Sequence, residues 1–405
     1  MQAIVLAAGE GRRMYPLTRT RPKVMLSVAN MPILEHLLLE LVAAGVDGVV
    51  LVVGYYDDVV RAYFGDGKRF GLKIRYVTQQ NQLGTANALR SAAHLLEDRF
   101  LMLNGDAWVG RDDISRILEA DTMALGVRMV ENPRDFGVVE VEGERVVRII
   151  EKASQPPTNL INAGIYHFNR EILEFVEATP LSKRGEYEIT DSIQMAVDEG
   201  VLFKTIKIGR WMDMGYPWDL LRANEEILKG MVGSEILGEI EDGAVIKGSI
   251  SLGEGSIIRS GSYIEGPVVI GRNCDIGPNS FLRPHTAIDD HCHIGAGVEI
   301  KNSIIMSGTK VPHLSYLGDS VIGCGCNLGA GTKIANLRLD GRDVHATVGG
   351  KSISTGRRKF GAVIGDNTRT GINVTINPGA MIGNDVFVGP GAVVDGDIQP
   401  FARVF

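Results

Sequence analysis

The sequence predicts two domains of different construction: an α/β domain with a doubly wound parallel sheet over residues 1–233, and a left-handed parallel β-helix of hexapeptide repeats over residues 234–405. In the first half, short apolar runs alternate with amphipathic stretches, which is typical of strands covered by helices on both faces. In the second half, an aliphatic residue recurs at every sixth position, a period of neither a helix nor an ordinary strand.

The elements of the first domain follow from these runs. A strand is predicted at 3–8, a helix near 32–44 and a strand at 49–53 that ends at Gly54. Further strands are predicted at 73–77, 100–103, 123–129, 137–141 and 161–168. The last helix is predicted from Pro217 to Lys229, and two glycines follow it, so we place the domain junction near residue 233.

The second domain follows from the period of six. Three hexads, roughly 18 residues, make one triangular coil of a β-helix, in which each sixth residue points inward and stacks on its counterpart in the next coil. The inward positions run from Ile240 to Ile300 and resume from Ile364 to Val394. The phase is lost near 301–315 and at about 337–361. The second interruption contains Arg338, Arg342, Lys351, Arg357, Arg358 and Lys359. It is predicted as an excursion with a basic face, either solvated or in contact with an anion.

The composition argues against nucleic acid and membrane as partners. The chain carries a formal net charge of −7, so it has no overall basic field. No uncharged apolar segment is long enough to span a bilayer, and no basic region precedes the first apolar run, as it would in a signal peptide. The cysteines are predicted to be small buried residues: Cys274, Cys292, Cys324 and Cys326. A cytoplasmic protein that binds small molecules is expected.

A glycine-rich turn follows the first strand. Gly9 and Gly11 are followed by Arg13 and, further on, by Lys23. Such a turn at the carboxyl end of a strand exposes backbone N–H groups to phosphate, and the basic side chains can neutralise the remaining charge. The spacing is neither that of a Walker P-loop nor that of a full dinucleotide fingerprint.

Further motifs make the pattern specific. In chain order they are Gln79–Ala86, Asn104–Asp106, Glu151–Lys152, Asn162–Ile165, Glu186–Asp191 and Trp211–Asp213. Together with the glycine-rich turn, they resemble the nucleoside triphosphate:sugar-1-phosphate nucleotidylyltransferases across residues 1 to about 230. The sequence departs from that family's motif at Arg12, where Thr is usual.

The resemblance implies roles for individual residues. Arg13 and Lys23 would be the catalytic cations that hold the triphosphate and the attacking sugar phosphate. Asp106 and Asp213 would bind Mg²⁺, a hard ion that prefers oxygen ligands; otherwise they would be a helix cap and a surface carboxylate. The nucleotide contacts would be Leu6, Ala7, Gly9, Gln79, Gln82, Gly84 and Thr85. The sugar contacts would be Gly137, Glu151 and Asn162.

Polar residues cluster at the first phase break of the β-helix. Lys310–Asp319 contains His313 and Tyr316, and Asn327–Thr332 and Asn336 follow. The outer face of a regular coil does not require such residues, so their clustering at an irregularity indicates a site. The segment resembles the acetyltransferase half of the bifunctional N-acetylglucosamine-1-phosphate uridylyltransferases, a resemblance that covers nearly the whole chain.

This second resemblance implies an acetyl-transfer site. His313 would be the general base that takes a proton from the sugar amine, oriented by Glu299, and Ala330 would give a backbone N–H to the acetyl group of acetyl-CoA. The sugar-phosphate contacts would be Lys301, Tyr316, Asn327 and Asn336. The family's additional phosphate-binding Arg aligns with Phe281, and Arg283 is a possible substitute. Acetyl-CoA would lie between neighbouring prisms, so a homotrimer or a dimer of trimers is expected.

The sequence thus predicts an enzyme that couples UTP or dTTP to a sugar 1-phosphate and acetylates glucosamine or galactosamine 1-phosphate. Two alternatives stay open. The β-helix could serve only oligomerisation or regulation, or the chain could be a non-catalytic assembly subunit, which retention of the predicted cations and carboxylates disfavours. A zinc site at His285, His291 and His293 is disfavoured, because six residues carry the chain to another face of the prism.

Overall fold

A nine-stranded mixed sheet and a three-sided parallel β-helix make up the computed structural model, which describes residues 1–405. The chain divides into two units. The first contains Met1–Glu10, Pro22–Met25 and Ile33–Asp213, and the second contains Gly11–Arg21, Leu26–Pro32 and Met214–Phe405. Two short segments of the N-terminal half therefore group with the β-helix. The boundary at residue 233 stays a prediction.

The elements before the β-helix are short. The strands are β1 (Gln2–Ala7), β2 (Ser27–Val28), β3 (Met31–Pro32), β4 (Gly48–Val53), β5 (Lys73–Thr78), β6 (Arg99–Asn104), β7 (Ala107–Val109), β8 (Met123–Met129), β9 (Val138–Glu142), β10 (Arg145–Ile150), β11 (Leu160–Asn169), β12 (Phe203–Lys207) and β13 (Trp211–Asp213). The α-helices are α1 (Ile33–Ala43), α2 (Asp57–Phe64), α3 (Thr85–Ala92), α4 (Arg111–Leu118), α5 (Ile172–Ala178), α6 (Ile189–Asp198) and α7 (Pro217–Lys229). Single 3₁₀ turns lie at Arg12–Met14, Leu17–Arg19, Lys23–Met25, Lys68–Phe70, Ala93–Leu95 and Pro133–Asp135.

The large sheet of the first unit has the order β5-β4-β1-β6-β11-β8-β12-β10-β9. Strands β5, β4, β1 and β6 are parallel, whereas β11 runs antiparallel to both β6 and β8. One apolar core packs α3, α5 and α6 on the sheet, and another packs α1, α2 and α4. Helices on both faces confirm the α/β class, and the strand and helix predictions match the observed elements closely.

The second unit contains a prism of short strands. They are β14 (Glu235–Ile236), β15 (Glu239–Ile240), β16 (Val245–Lys247), β17 (Ile250–Leu252), β18 (Ile257–Ile258), β19 (Tyr263–Glu265), β20 (Val268–Ile270), β21 (Asp275–Ile276), β22 (Phe281–Leu282), β23 (Thr286–Ile288), β24 (His293–Ala296), β25 (Glu299–Lys301), β26 (Ile304–Ile305), β27 (Lys310–His313), β28 (Tyr316–Gly318), β29 (Val321–Ile322), β30 (Asn327–Leu328), β31 (Lys333–Ile334), β32 (His345–Val348), β33 (Lys351–Ser354), β34 (Ala362–Ile364), β35 (Arg369–Thr370), β36 (Thr375–Ile376), β37 (Ala380–Ile382), β38 (Phe387–Val388), β39 (Val393–Val394), β40 (Asp397–Ile398) and β41 (Arg403–Val404).

Every third prism strand pairs in parallel, which gives three faces. Inward residues stack between coils and are buried, as in the pairs Ile264 with Leu282 and Ile270 with Ile288. This confirms the β-helix that the period of six predicted. Each of these pairs spans 18 residues along the chain.

Both predicted phase breaks correspond to a structural irregularity. At the first, Ile300 pairs with Leu317 and Leu317 with Ile334, so two successive coils have 17 residues each. At the second, the chain leaves the prism after the corner residue Asn336 and returns at Ala362. The excursion is a β-hairpin of β32 and β33, which the sequence did not indicate.

Candidate active sites

In the first unit, one predicted metal carboxylate, Asp106, directly precedes β7, and the other, Asp213, ends the neighbouring strand β13. Asp213 pairs with Ala107 in the ladder of β13 and β7, so Asp106 and Asp213 lie at one end of this two-stranded sheet. The Lys23 ammonium is 2.7 Å from Asp106 Oδ2, and the lysine side chain is only 9% exposed. A buried lysine is stabilised by such a carboxylate partner. Three residues chosen from separate motifs therefore belong to one charged cluster.

The carboxyl end of β1 lies beside the loop that carries Asp106. Gly105 donates its N–H to the Leu6 carbonyl at 2.8 Å, and a Cβ at Gly105 would lie 2.8 Å from that oxygen. By contrast, a Cβ at Gly9 would meet no atom within 4 Å. Packing within the chain therefore does not require glycine at position 9, and the backbone there has room for a ligand to approach.

The predicted base-recognition segment is held by its own hydrogen bonds. The Gln79 amide donates to Gly84 O at 3.2 Å and to Asn87 Oδ1 at 2.8 Å, and Gln79 is buried. Gly84 has φ +101°, and a Cβ there would lie 2.5 Å from the Tyr187 carbonyl oxygen. Thr85 Oγ1 accepts the N–H of Ile189 at 3.0 Å, at the start of α6. Gln82 is exposed, so it differs from Gln79 in its access to a ligand.

The three predicted sugar contacts lie together. A Cβ at Gly137 would lie 3.0 Å from Glu151 Oε2 and 3.7 Å from Asn162 Cβ. Asn162 donates its backbone N–H to Gly137 O at 2.8 Å. Thr190 Oγ1 donates to Glu151 Oε2 at 3.2 Å, and Arg184 Nη1 lies 3.3 Å from Glu151 Oε1. The cluster therefore has a carboxylate as acceptor and a neighbouring guanidinium.

Two carboxyl groups share this guanidinium. Arg184 Nη1 is also 2.9 Å from Glu188 Oε1, and the Glu188 side chain is only 6% exposed. Burial raises the pKa of Glu151, against the opposing charges of Lys152 and Arg184. Burial and the charge of Glu151 raise the pKa of Glu188 to about 7. Glu188 thus ionises near neutral pH.

A stability measurement checks this pKa. The ordinary carboxyl pKa is 4.5, and the folded state retains the Glu188 proton to higher pH than the unfolded chain. We therefore expect Glu188 to lower the free energy of unfolding by about 1–3 kcal/mol as the pH rises from about 4.5 to about 7. Glu188→Gln should lack this loss. In urea unfolding, the free energy of unfolding of the variant relative to that of the wild type should therefore be higher at pH 8 than at pH 5. Glu174→Gln, at an exposed position of α5, should track the wild type, and equal pH dependence of all three proteins would contradict the assignment.

Arg13 belongs to the second unit. It lies in a 3₁₀ turn, and its guanidinium carbon is 5.0 Å from the centroid of the Tyr216 ring. Tyr216 stacks on Trp218 at 4.8 Å, and Trp218 meets the edge of Phe360 at 5.9 Å. The Arg13 side chain thus packs on one end of an aromatic row. The phosphate-binding role of Arg13 rests on its sequence motif alone.

The shortened coils of the prism place three polar residues in a row. Asn302, Asp319 and Asn336 occupy the same corner of successive coils. Asn302 Nδ2 donates to Asp319 Oδ1 at 2.8 Å, and Asn336 Nδ2 donates to Asp319 Oδ2 at 2.5 Å. We call these three residues the corner ladder. Its central carboxylate is buried, with only 3% of the side chain exposed.

Three of the predicted sugar-phosphate contacts either contact the corner ladder or belong to it: Lys301, Tyr316 and Asn336. Lys301 Nζ is 3.7 Å from Asp319 Oδ2, and Asn336 Nδ2 donates to the Tyr316 hydroxyl at 3.3 Å. Burial, with the charge of Asp319 adding to it, raises the pKa of Tyr316. A Cβ at Gly318 would lie 2.5 Å from Asn336 Nδ2 and 2.6 Å from Tyr316 Oη. Glycine at this position therefore leaves the space that both side chains occupy.

His313 lies at the end of β27 and is exposed. Its carbonyl accepts the N–H of Gly331 at 3.1 Å, which places Ala330 beside it in the next coil. Asn327 is exposed on β30, where it pairs with Lys310. His313, Ala330 and Asn327 thus share one region of the prism, on adjoining strands and the corner that follows them.

Glu299 pairs with Arg283 rather than with His313. Arg283 Nη1 is 3.0 Å from Glu299 Oε1, and its guanidinium carbon is 5.6 Å from the Phe281 ring centroid. The buried Nε of Arg283 has no hydrogen-bond acceptor in the chain. The family's additional phosphate-binding Arg aligns with Phe281, and Arg283 is its possible substitute. Arg283 therefore lies on the same face as Glu299. The orienting role of Glu299 stays a prediction.

The remaining histidines occupy different kinds of position. His285 and His291 have φ values of 64° and 61°, as corner residues do, whereas His293 lies on β24 with Nδ1 3.7 Å from Asp275 Oδ2. The residues that sequence reasoning missed are Arg184, Glu188, Thr190 and Asp319. The last three lie inside motifs that the sequence analysis identified, but only the folded chain reveals their partners.

The fold and these sites define a class: a nucleotidyltransferase-like α/β unit joined to a hexapeptide-repeat β-helix. The nucleotidyl transferase family model matches residues 2–230, the GMPPB C-terminal domain model residues 264–354 and the bacterial transferase hexapeptide model, with six repeats, residues 361–396.

Relatives match the whole chain. The bifunctional protein GlmU of Methanococcus maripaludis strain C7 is 45% identical over 408 residues, and that of Methanocaldococcus jannaschii is 42% identical over 407; each alignment covers 100% of this chain and 97% of the relative. The bifunctional sugar-1-phosphate nucleotidylyltransferase/acetyltransferase of Sulfurisphaera tokodaii is 44% identical over 388 residues, 95% of this chain and 94% of its own. The chain belongs to this family of bifunctional sugar-1-phosphate nucleotidylyltransferase/acetyltransferases. None of its helices combines the length and apolar character needed to cross a membrane.

Proposed function

We propose that the first unit transfers a nucleotidyl group from UTP, or alternatively dTTP, to a sugar 1-phosphate. The observation that carries this proposal is the cluster of Lys23, Asp106 and Asp213. The reaction needs no protein nucleophile: an oxygen of the sugar 1-phosphate attacks the α-phosphorus in line, and pyrophosphate leaves. Lys23 would neutralise phosphate charge, and Glu151 would accept a hydrogen bond from a sugar hydroxyl.

The carboxylates fit a magnesium site. Asp106 and Asp213 supply hard oxygen donors from adjoining strands, and Lys23 already balances the charge of Asp106. When bound, Mg²⁺ would neutralise the triphosphate and help to orient it for the displacement. The chain's own part is to hold these two carboxylates in a fixed relation to the lysine.

We further propose that the second unit acetylates an amino-sugar 1-phosphate with acetyl-CoA. His313 would take a proton from the amine as it attacks the thioester carbon, and the coenzyme A thiolate would leave. Lys301 and Arg283, whose Nε lacks an acceptor in the chain, would bind the phosphate, and Asn327 and Asn336 the sugar. Acetyl-CoA would lie between prisms of neighbouring copies, in a homotrimer or a dimer of trimers.

A substrate matrix tests both activities. UTP, dTTP and other triphosphates are combined with several sugar 1-phosphates, and pyrophosphate release is measured. In parallel, thiol release from acetyl-CoA is measured with glucosamine 1-phosphate and galactosamine 1-phosphate. We expect a pyrimidine triphosphate to be preferred and at least one amino-sugar phosphate to be acetylated. Pyrophosphate release without any thiol release would favour the rival function, in which the β-helix serves assembly or regulation.

A further inference from the structure

The corner ladder is connected to the excursion that interrupts the prism. Arg357, just after the hairpin, has Nη2 4.0 Å from Asp319 Oδ1. The same Nη2 forms a hydrogen bond with Glu225 of α7, which also accepts from Asn302 Nδ2 at 2.8 Å. The side chains of Arg357 and Glu225 are 19% and 21% exposed. These contacts form a partly buried charge network that the proposed chemistry does not use directly.

The charges of this network determine how strongly the Lys301 ammonium is attracted to Asp319. Asp319 is buried and has two cations near it, Lys301 at 3.7 Å and Arg357 at 4.0 Å. A buried carboxylate requires compensation, and it attracts whichever cation can reach it. Without Arg357, Lys301 alone would balance Asp319. The ammonium would then be drawn to Asp319 and would be less available to a substrate phosphate.

Glu225 fixes the arginine in place. Burial favours the neutral form of Glu225, but Arg357 outweighs this effect and lowers the pKa of the carboxyl. The arginine is therefore held between two carboxylates, and its planar fork suits this bridging geometry better than an ammonium would. The position of Arg357 is set by the helix and the prism together, both within the second unit.

We propose that Arg357 is a positioning residue for acetyl transfer: it compensates the buried Asp319, so that Lys301 stays available to the phosphate of the amino-sugar 1-phosphate. Asp319 at the same time holds the amide of Asn336. The excursion at 337–361 is then a functional part of the site that binds the amino-sugar 1-phosphate. This proposal rests on the acetyltransferase activity proposed above. Arg357 acts through Asp319 and does not contact the substrate.

The test compares single and double variants. Arg357→Ala should raise KM for glucosamine 1-phosphate about ten- to hundredfold, the value of one hydrogen bond to a charged group. KM for acetyl-CoA should stay unchanged, and Arg357→Lys should be affected less. Lys301→Ala should raise the same KM, and adding Arg357→Ala to it should raise KM by less than about threefold more, because Arg357 acts through the availability of Lys301. The dissociation constant of glucosamine 1-phosphate, measured by calorimetry, should follow the same order.

A matched control is Arg259→Ala, which removes a partly exposed arginine paired with Asp275 in the same prism and should leave both constants unchanged. Multiplicative losses in the double variant of Lys301 and Arg357 would overturn the proposal, as would equal losses in nucleotidyl transfer and in KM for acetyl-CoA, which would indicate a purely structural role. If the wild type acetylates no amino-sugar phosphate, the proposed activity fails. Calorimetric binding then still decides the role of Arg357.

Discussion

Asp106→Asn is expected to reduce nucleotidyl transfer at least about a thousandfold, roughly 4 kcal/mol in the activation free energy. The substitution removes the charge that holds the Lys23 ammonium at 2.7 Å and halves the carboxylate charge of the proposed magnesium site. It preserves the size of the side chain, so folding should be retained. Pyrophosphate release with UTP and a sugar 1-phosphate measures the loss.

Two controls define the Asp106 result. Asp112→Asn removes a carboxylate that is 90% exposed in the same unit, and it should leave turnover unchanged. Acetyl transfer by Asp106→Asn should be normal, which verifies that the prism is intact. Turnover by Asp106→Asn within tenfold of the wild type would reject the assignment of this carboxylate.

His313→Ala should reduce acetyl transfer about a hundred- to ten-thousandfold, as for removal of a general base. The imidazole is exposed at the end of β27, so its removal leaves no cavity and should not unfold the prism. The measurement is thiol release from acetyl-CoA at saturating glucosamine 1-phosphate. Nucleotidyl transfer to an already acetylated sugar phosphate should match the wild type.

The two variants form a crossed pair, since each is expected to lose one activity and retain the other. If His313→Ala keeps its acetyl transfer, the base lies elsewhere in the prism. If both activities fall together in either variant, the loss reflects the folded state and not the chemistry at that residue.

Much of the fold could be predicted because its signals are local or periodic. The helix predicted from Pro217 to Lys229 is α7, and the inward residues of the hexads are the buried ones. The antiparallel insertion of β11 between β6 and β8 could not be predicted, because its ten residues read as an apolar strand in either direction. The hairpin of β32 and β33 was also missed, since hexad phase says nothing about a segment that leaves the prism.

The candidate sites were predictable as residue types but not as pairings. Lys23 and Asp106 were both singled out, yet their ion pair joins positions far apart in the chain. Glu299 was expected to orient His313, whereas its charge partner in the structure is Arg283. Asp319 carries no separate signal in the sequence, because a glycine–aspartate pair at a coil corner is ordinary. Its importance comes from burial and from Asn302 and Asn336, each one coil away.

The 17-residue coils carry a last consequence for how such a row of polar contacts can arise. Removing a single residue from one corner leaves the strands of the prism paired. The interior stacking of Ile300, Leu317 and Ile334 therefore continues undisturbed. Chain length at that corner, and not only side-chain identity, therefore determines whether the amides and the carboxylate meet. Reinserting the absent residue would produce a more regular solenoid, and the contacts of Asp319 with the two amides would be lost without any polar group being mutated.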